Sequence, residues 1–444
     1  MPRSPDSVED SSKARQTPYV LGLIFVILAA LASLPLPAGA AEPDAEALLV
    51  VEPLEPIALG AAPGAAESTH SETPTTIRYP EPGVLPSGEW YETWKQFKKD
   101  LEEKAGTSLS LCAIYTSQAI VNGPGEGKDR GVFWWNLNVN QRLWQGATLV
   151  TNTRGGSGLG PGRYQDIQLN HNWMQGEPRE IYVSHLLLEQ KLFDDKVTIW
   201  AGKLDVADYF GTNEVASWNF LSYSLARNPT IPMPYHAIGA VARYDVAEWL
   251  YVQAGVADAG GSWTRSGFES AFRAPHPNVS LYEAGLRPKI GGRKGNYRFT
   301  LWYDAETVGR VDGRGTECDD LGFGLSFDQE LSDKVTAFLR YGRADQDLRN
   351  VEHFWSVGAR WKGPFAVRPA DDFVFGVSQA LTGRDFRRAN TPSASQETLF
   401  EIYYNIQITE WMALKPDVQV ILNPGANDSN DVGVVAGLRL QLAF

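Results

Sequence analysis

Residues 432–444 read VGVVAGLRLQLAF. Val432, Val434, Ala436, Leu438, Leu440, Leu442 and Phe444 fall on one side of a two-residue repeat, and Gly433, Val435, Gly437, Arg439, Gln441 and Ala443 fall on the other. A period of two belongs to a β-strand, whose successive side chains point to opposite faces. One face is oily and the other carries hydrogen-bonding groups. The same two-faced pattern occurs at 131–144, GVFWWNLNVNQRLW, where Asn136, Asn138, Asn140 and Arg142 oppose Phe133, Trp135, Leu137 and Val139. It recurs at 398–408, TLFEIYYNIQI, where Glu401, Tyr403, Asn405 and Gln407 oppose Phe400, Ile402, Tyr404 and Ile406.

Working outward, this period holds from Gly106 to the last residue, in segments bounded by Gly, Pro, Asn and Asp clusters. The segments number about sixteen or seventeen, and a bacterial single-chain barrel takes an even number of strands. The fold class is therefore all-β: a transmembrane antiparallel β-barrel of about 16 strands over 107–444. A barrel of that size encloses an aqueous channel. Alternation alone does not separate it from a soluble sandwich, but three further features do. Trp134, Trp135, Trp144, Trp173, Trp200, Trp249, Trp302, Trp355, Trp361 and Trp411 are expected near strand ends, where interfacial girdles lie. The last strand ends in Phe444, which resembles the terminal signature of outer-membrane barrels. The polar faces place Arg among Asn, Gln and Glu, which suits a hydrated lumen.

Ahead of the barrel, Tyr19–Leu34 is the one long apolar run, preceded by Lys13 and Arg15 and followed by Ala38-Gly39-Ala40. Residues 1–40 read as a secretory signal peptide. Residues 41–88 are Pro/Ala-rich and read as a flexible segment. At 89–106, Trp90, Trp94, Phe97 and Leu101 are spaced for a short N-terminal amphipathic helix stopped by Gly106; its stripe is expected to pack on its own domain.

The 40 basic and 53 acidic residues of the 444 give a net charge of -13, so nucleic acid is not an expected partner. Cys112 and Cys318, the two cysteines, form one bridge or none. The histidines lack metal-ligand spacing, and no metal or cofactor is expected. Asn427, Asp428, Asn430 and Asp431 read as a polar hairpin turn. Ser184 and His185 are the one adjacent Ser/His pair in a strand, but strand neighbours face opposite ways, so no nucleophile–base pair, and no enzyme, is expected.

The stretches GKLDVADYF (202–210), FLSYSLARNPTIPMPYHAIGAVARYDVAEWLYVQAGVADA (220–259) and EIYYNIQITEWMALKPDVQVILNPG (401–425), with the terminal VVAGLRLQLAF, resemble the carbohydrate-selective porins of the OprB type. The resemblance covers about residues 90–444. It implies a sixteen-stranded outer-membrane barrel of a bacterium with a two-membrane envelope, passing mono- and small oligosaccharides by passive diffusion. The alternative is a general diffusion porin for small hydrophilic or ionic solutes. Expected partners are sugars, outer-membrane lipid and the barrel-assembly machinery, the last engaging the strand that ends in Phe444. The oligomeric state, monomer or trimer, stays open.

If the polar face of each strand lines the lumen, the candidate sugar contacts are Asn138 and Arg142, then Arg298, Trp302 and Asp304, then Arg340 and Arg360. Glu401, Asn405, Lys415, Asp417 and Arg439 complete the set from the last three strands. Interleaved guanidinium and carboxylate groups match polyol hydroxyls without favouring one ionic charge; cross-strand ion pairing is the competing role for any one of them. Val206–Tyr235 is far too long for a hairpin turn and rich in aromatics. One expectation is that it folds into the barrel and narrows the pore, with Arg227 and Asn228 facing solute; the other is an external loop that covers the barrel mouth.

Overall fold

The computed structural model describes residues 87–158, 181–261, 266–272, 277–390 and 395–444, with Gly83 and Leu85 before them. The expected signal peptide and most of the Pro/Ala-rich segment lie outside the described residues, as does Trp173.

The alternating segments become sixteen barrel strands. They are β1 (Thr107–Asn122), β2 (Asp129–Trp144), β3 (Ala147–Gly158), β4 (Tyr182–Leu192), β5 (Val197–Leu204), β6 (Ala237–Ala247), β7 (Leu250–Asp258) and β8 (Asn278–Leu286). The second half comprises β9 (Arg293–Asp304), β10 (Asp320–Glu330), β11 (Val335–Arg343), β12 (Val351–Lys362), β13 (Asp372–Thr382), β14 (Gln396–Thr409), β15 (Met412–Leu422) and β16 (Gly433–Ala443). Each pairs antiparallel with its chain neighbours, and β16 returns to β1 in a register that sets Thr116 opposite Arg439 and Ala119 opposite Ala436. Closure leaves no free sheet edge. No described helix is long and apolar enough to cross a membrane; the strands do the crossing.

Alternation divides the two faces. On the outside, Leu438, Val418, Ile402, Phe375 and Leu339 are exposed, while their chain neighbours Arg439, Asp417, Glu401, Val374 and Arg340 are buried inside. One end of the barrel carries short turns, such as 145–146, 248–249 and 410–411, and the other carries loops as long as 205–236 and 383–395. In outer-membrane barrels the short-turn end is periplasmic. Trp144, Trp249 and Trp361 are exposed at that end, as an interfacial girdle requires. Trp134, Trp200 and Trp302 depart from that expectation: they point inward and are buried, because their strand parity is that of the lumen face.

Helix α1 (Glu89–Ala105) sits at the periplasmic end. Gly106 ends it with φ 66, a left-handed conformation suited to glycine, and its N–H returns to Glu102 O. Trp90 meets Trp411 edge-on at 5.2 Å and Phe444 at 6.0 Å, and Lys95 Nζ lies 2.8 Å from Glu410. The helix therefore packs on the β14–β15 turn and the terminal residue of its own domain. Both cysteines are free, Cys112 buried and Cys318 exposed. The turn at 427–431 is a polar one in which Asn427 Oδ1 accepts from Ser429 N.

Candidate functional site: a loop folded inside the barrel

Residues 205–236, between β5 and β6, cross the interior, and lumen-facing side chains hold them there. Starting at the root, Asp208 Oδ2 meets His185 Nε2 of β4 at 3.0 Å, Gln253 of β7 donates to Tyr209 O, and Gly211 N donates to Glu283 of β8. Further along, Asn213 donates to Ser326 Oγ and Phe327 O of β10, and Glu214 pairs with Arg360 of β12 at 2.6 Å.

At the far side, Arg439 Nη1 donates to Trp218 O at 3.0 Å and Lys415 Nζ donates to Asn219 O at 3.0 Å. On the way back Glu401 accepts from both Leu221 N and Ser222 N. Arg340 Nη2 donates to Ser224 O and Leu225 O at 2.9 Å each, and Asn228 Nδ2 donates to Tyr341 O at 3.1 Å. Phe220 packs edge-on against Tyr403 and Phe338. Buried polar groups are costly unless hydrogen-bonded, and the loop backbone supplies the partners that water would otherwise provide.

Glycines make the room. Gly342 faces the lumen where a Cβ would stand 2.0 Å from Thr230 Oγ1 and 2.6 Å from Asn228 Nδ2, and at Gly376 it would stand 2.9 Å from both methyls of Leu225.

The candidate contacts thus divide. Arg340, Glu401, Lys415 and Arg439 lie on the lumen face but are at most 1% exposed, because the loop covers them. Arg298 is the cross-strand ion pair of β9 with Asp328, at 2.8 Å. Asp304 accepts from Arg349 at 2.8 Å, Asp417 accepts from Gln419, and Trp302 is buried in an apolar cluster with Phe210 and Leu281. Asn138 donates to Ser110 and accepts from Asn152. Arg142 is not in the lumen proper: it is exposed at the periplasmic rim, where β2 slips register against β3 and its N–H donates to Gly106 O. Arg360 and Asn405 keep part of their surface open. Of the loop residues, Arg227 pairs with Asp205 at 2.9 Å and Asn228 is spent on the wall.

Two features were missed. Arg154 of β3 stands over the Trp134 ring at 5.2 Å, and Trp134 meets the loop's Trp218 at 6.4 Å; Arg154 and Trp218 remain partly open. Their parity with Asn152 and the loop's aromatic content were readable, but their meeting was not. The second is at Ser184 and His185. A register shift between Asn152 and Thr153 of β3 opposes a bulge in β4, so both side chains are buried on the inner side with Ser184 Oγ 3.0 Å from His185 Nδ1. The expectation that neighbours point apart fails at a bulge.

Charge at the loop root is balanced locally. Burial opposes ionisation of Asp205, but Arg227, His236 and the Ala207 N–H outweigh it and hold the carboxyl at about 2. Burial raises Asp208, with the His185 hydrogen bond opposing. Burial also keeps His236 well below the ordinary imidazole range.

A model of the carbohydrate-selective porin family OprB matches residues 132–444. This chain belongs to that family. Porin B of Pseudomonas aeruginosa is 22% identical over 428 residues, covering 81% of this chain and 92% of that protein. Porin AaxA of Chlamydia abortus is 23% identical over 370 residues, covering 81% of this chain and 75% of that one. Among solved structures, the high-pH form of Pseudomonas putida OprB superposes with a TM-score of 0.68 at 19% identity, covering 79% of this chain and 97% of that chain. The protein is an outer-membrane sugar porin, and in this OprB-family barrel the loop between β5 and β6 lies inside the lumen.

Proposed function

We propose that sugars diffuse passively through the space that the inner loop leaves against β1–β5, where Arg154 and Trp218 present a guanidinium and an indole to the solute. The observation that carries this reading is the distribution of anchors. Side chains of β10–β16 bind the loop backbone from Thr212 to Leu225, whereas Arg154 and Trp218 on the other side stay partly open. A pyranose has apolar C–H faces and a hydroxyl rim; an indole face suits the first and a guanidinium, with five donors, suits the second. Such contacts are weak enough to let solute leave, which throughput requires.

A channel role also accounts for Ser184, His185 and Asp208, whose order imitates a hydrolytic triad. Ser184 is fully buried and donates to Asn152, away from the imidazole, so it has neither access to substrate nor a base to activate it. The reading extends to export by residues 1–40 and to recognition of the Phe444 strand by the assembly machinery.

The test is single-channel current in planar bilayers, titrated with glucose, maltose and a non-sugar solute of similar size. Saturable block by the sugars alone is expected, and Trp218→Leu and Arg154→Met should each weaken it several-fold. Block by all three solutes alike, or sugar block indifferent to both substitutions, refutes this path.

A further inference from the structure

One chain of hydrogen bonds runs around the inner wall from the first strand to the root of the loop. Asn138 Nδ2 of β2 donates to Ser110 Oγ of β1 at 3.1 Å, Asn152 Nδ2 of β3 donates to Asn138 Oδ1, and Ser184 Oγ of β4 donates to Asn152. Beyond Ser184 come His185 Nδ1 at 3.0 Å and, across the ring, Asp208 Oδ2 at 3.0 Å from His185 Nε2. Ser184, His185, Asn152 and Asp208 are all at most 3% exposed.

Both ring nitrogens of His185 are engaged, Nδ1 by Ser184 Oγ and Nε2 by Asp208 Oδ2, so the imidazole bridges the strand wall and the loop.

We propose that His185 is a positioning residue for the pore: through its hydrogen bond to Asp208 and its link to Ser184, it ties the root of the constriction loop to β1–β4. The inference rests on the loop's role in narrowing the pore.

The surroundings agree. The His236 ring lies edge-on to His185 at 5.2 Å and tilted to Tyr182 at 6.3 Å. The charges facing the pair are Asp205 and Arg227, which neutralise each other across 2.9 Å, with Arg154 of β3 and Lys203 of β5 beyond. Burial raises Asp208's hold on a proton.

The experiment uses the full-length porin in planar bilayers, with conductance and open-channel noise recorded at neutral pH. His185→Gln, which keeps hydrogen-bonding capacity, should stay as quiet as wild type, whereas His185→Phe, which cannot hydrogen-bond, should be at least twofold noisier. Asn152→Leu breaks the chain on the wall without touching the loop and should raise noise at neutral pH too. Heat-modifiable migration confirms that each barrel is folded. A folded His185→Phe channel as quiet as wild type, or a His185→Gln channel as noisy as His185→Phe, overturns the proposal, as does a folded Asn152→Leu channel as quiet as wild type. Failure of the narrowing itself is told apart by the sugar titration, which would then show no block even in wild type.

Discussion

Arg340 shows what a single lumen residue does in this barrel. Its guanidinium satisfies two loop carbonyls and Ser356 Oγ, with Phe354 at 6.0 Å beneath it. Hydrogen bonds to a charged group contribute roughly 1.5–3 kcal/mol each, and part of that is offset by the desolvation of the guanidinium. Arg340→Met should therefore lower the unfolding free energy by about 2 kcal/mol, measured by urea titration of the folded barrel in detergent. A loss below about 0.5 kcal/mol would mean the loop is held elsewhere. That Arg340 faces inward was legible from its strand parity. Its partners were not, because they are backbone oxygens more than a hundred residues away, and a carbonyl leaves no residue-type signal. The lumen-facing glycines were legible in principle: Gly342 and Gly376 fall on the inner parity of strands whose outer parity is apolar, and a missing side chain there marks where another chain approaches.

The inner loop was the element most readable in advance, from its length and its aromatics, because thirty residues with that much apolar surface do not remain solvated. Its course is settled by physics the sequence does not display. The buried ring of Phe220 and the methyls of Leu225 need an apolar floor, and Phe338, Val374, Leu399 and Tyr403 of three different strands supply it. Deleting Asn213–Ala226 removes the part that spans the lumen and leaves the Asp205–Arg227 ends within reach of each other. Single-channel conductance of the deletion should rise at least twofold with loss of sugar block. A correctly folded deletion with wild-type conductance would show that another element sets the aperture. Strand β4 marks the opposite limit of legibility, since its bulge at Ser184–His185 inverts a parity that simple alternation assigned with no sign of trouble.

For the whole molecule, the decisive contact is the seam that joins the first strand to the last, because an open sheet of sixteen strands would expose unpaired backbone to lipid. Ten residue pairs of β1 and β16 close it, from Cys112 opposite Ala443 to Asn122 opposite Val434. Phe444 locks its periplasmic end: its N–H donates to Leu111 O at 2.8 Å, its carbonyl accepts from Leu111 N at 3.1 Å, and its ring stacks on Trp411 at 5.7 Å with Trp90 of α1 against both. The backbone bonds survive a change of side chain, whereas the aromatic cluster does not. Phe444→Ala therefore removes the clamp that α1, the β14–β15 turn and the seam share, and exposes Trp411 at the point where closure must finish. The folded, heat-modifiable fraction in outer membranes should fall severalfold in Phe444→Ala and much less in Leu442→Ala, which shortens a neighbouring lipid-facing side chain on the same strand without touching the cluster. Equal fractions for the two would assign the loss to lipid-facing area in general rather than to the aromatic clamp at the seam.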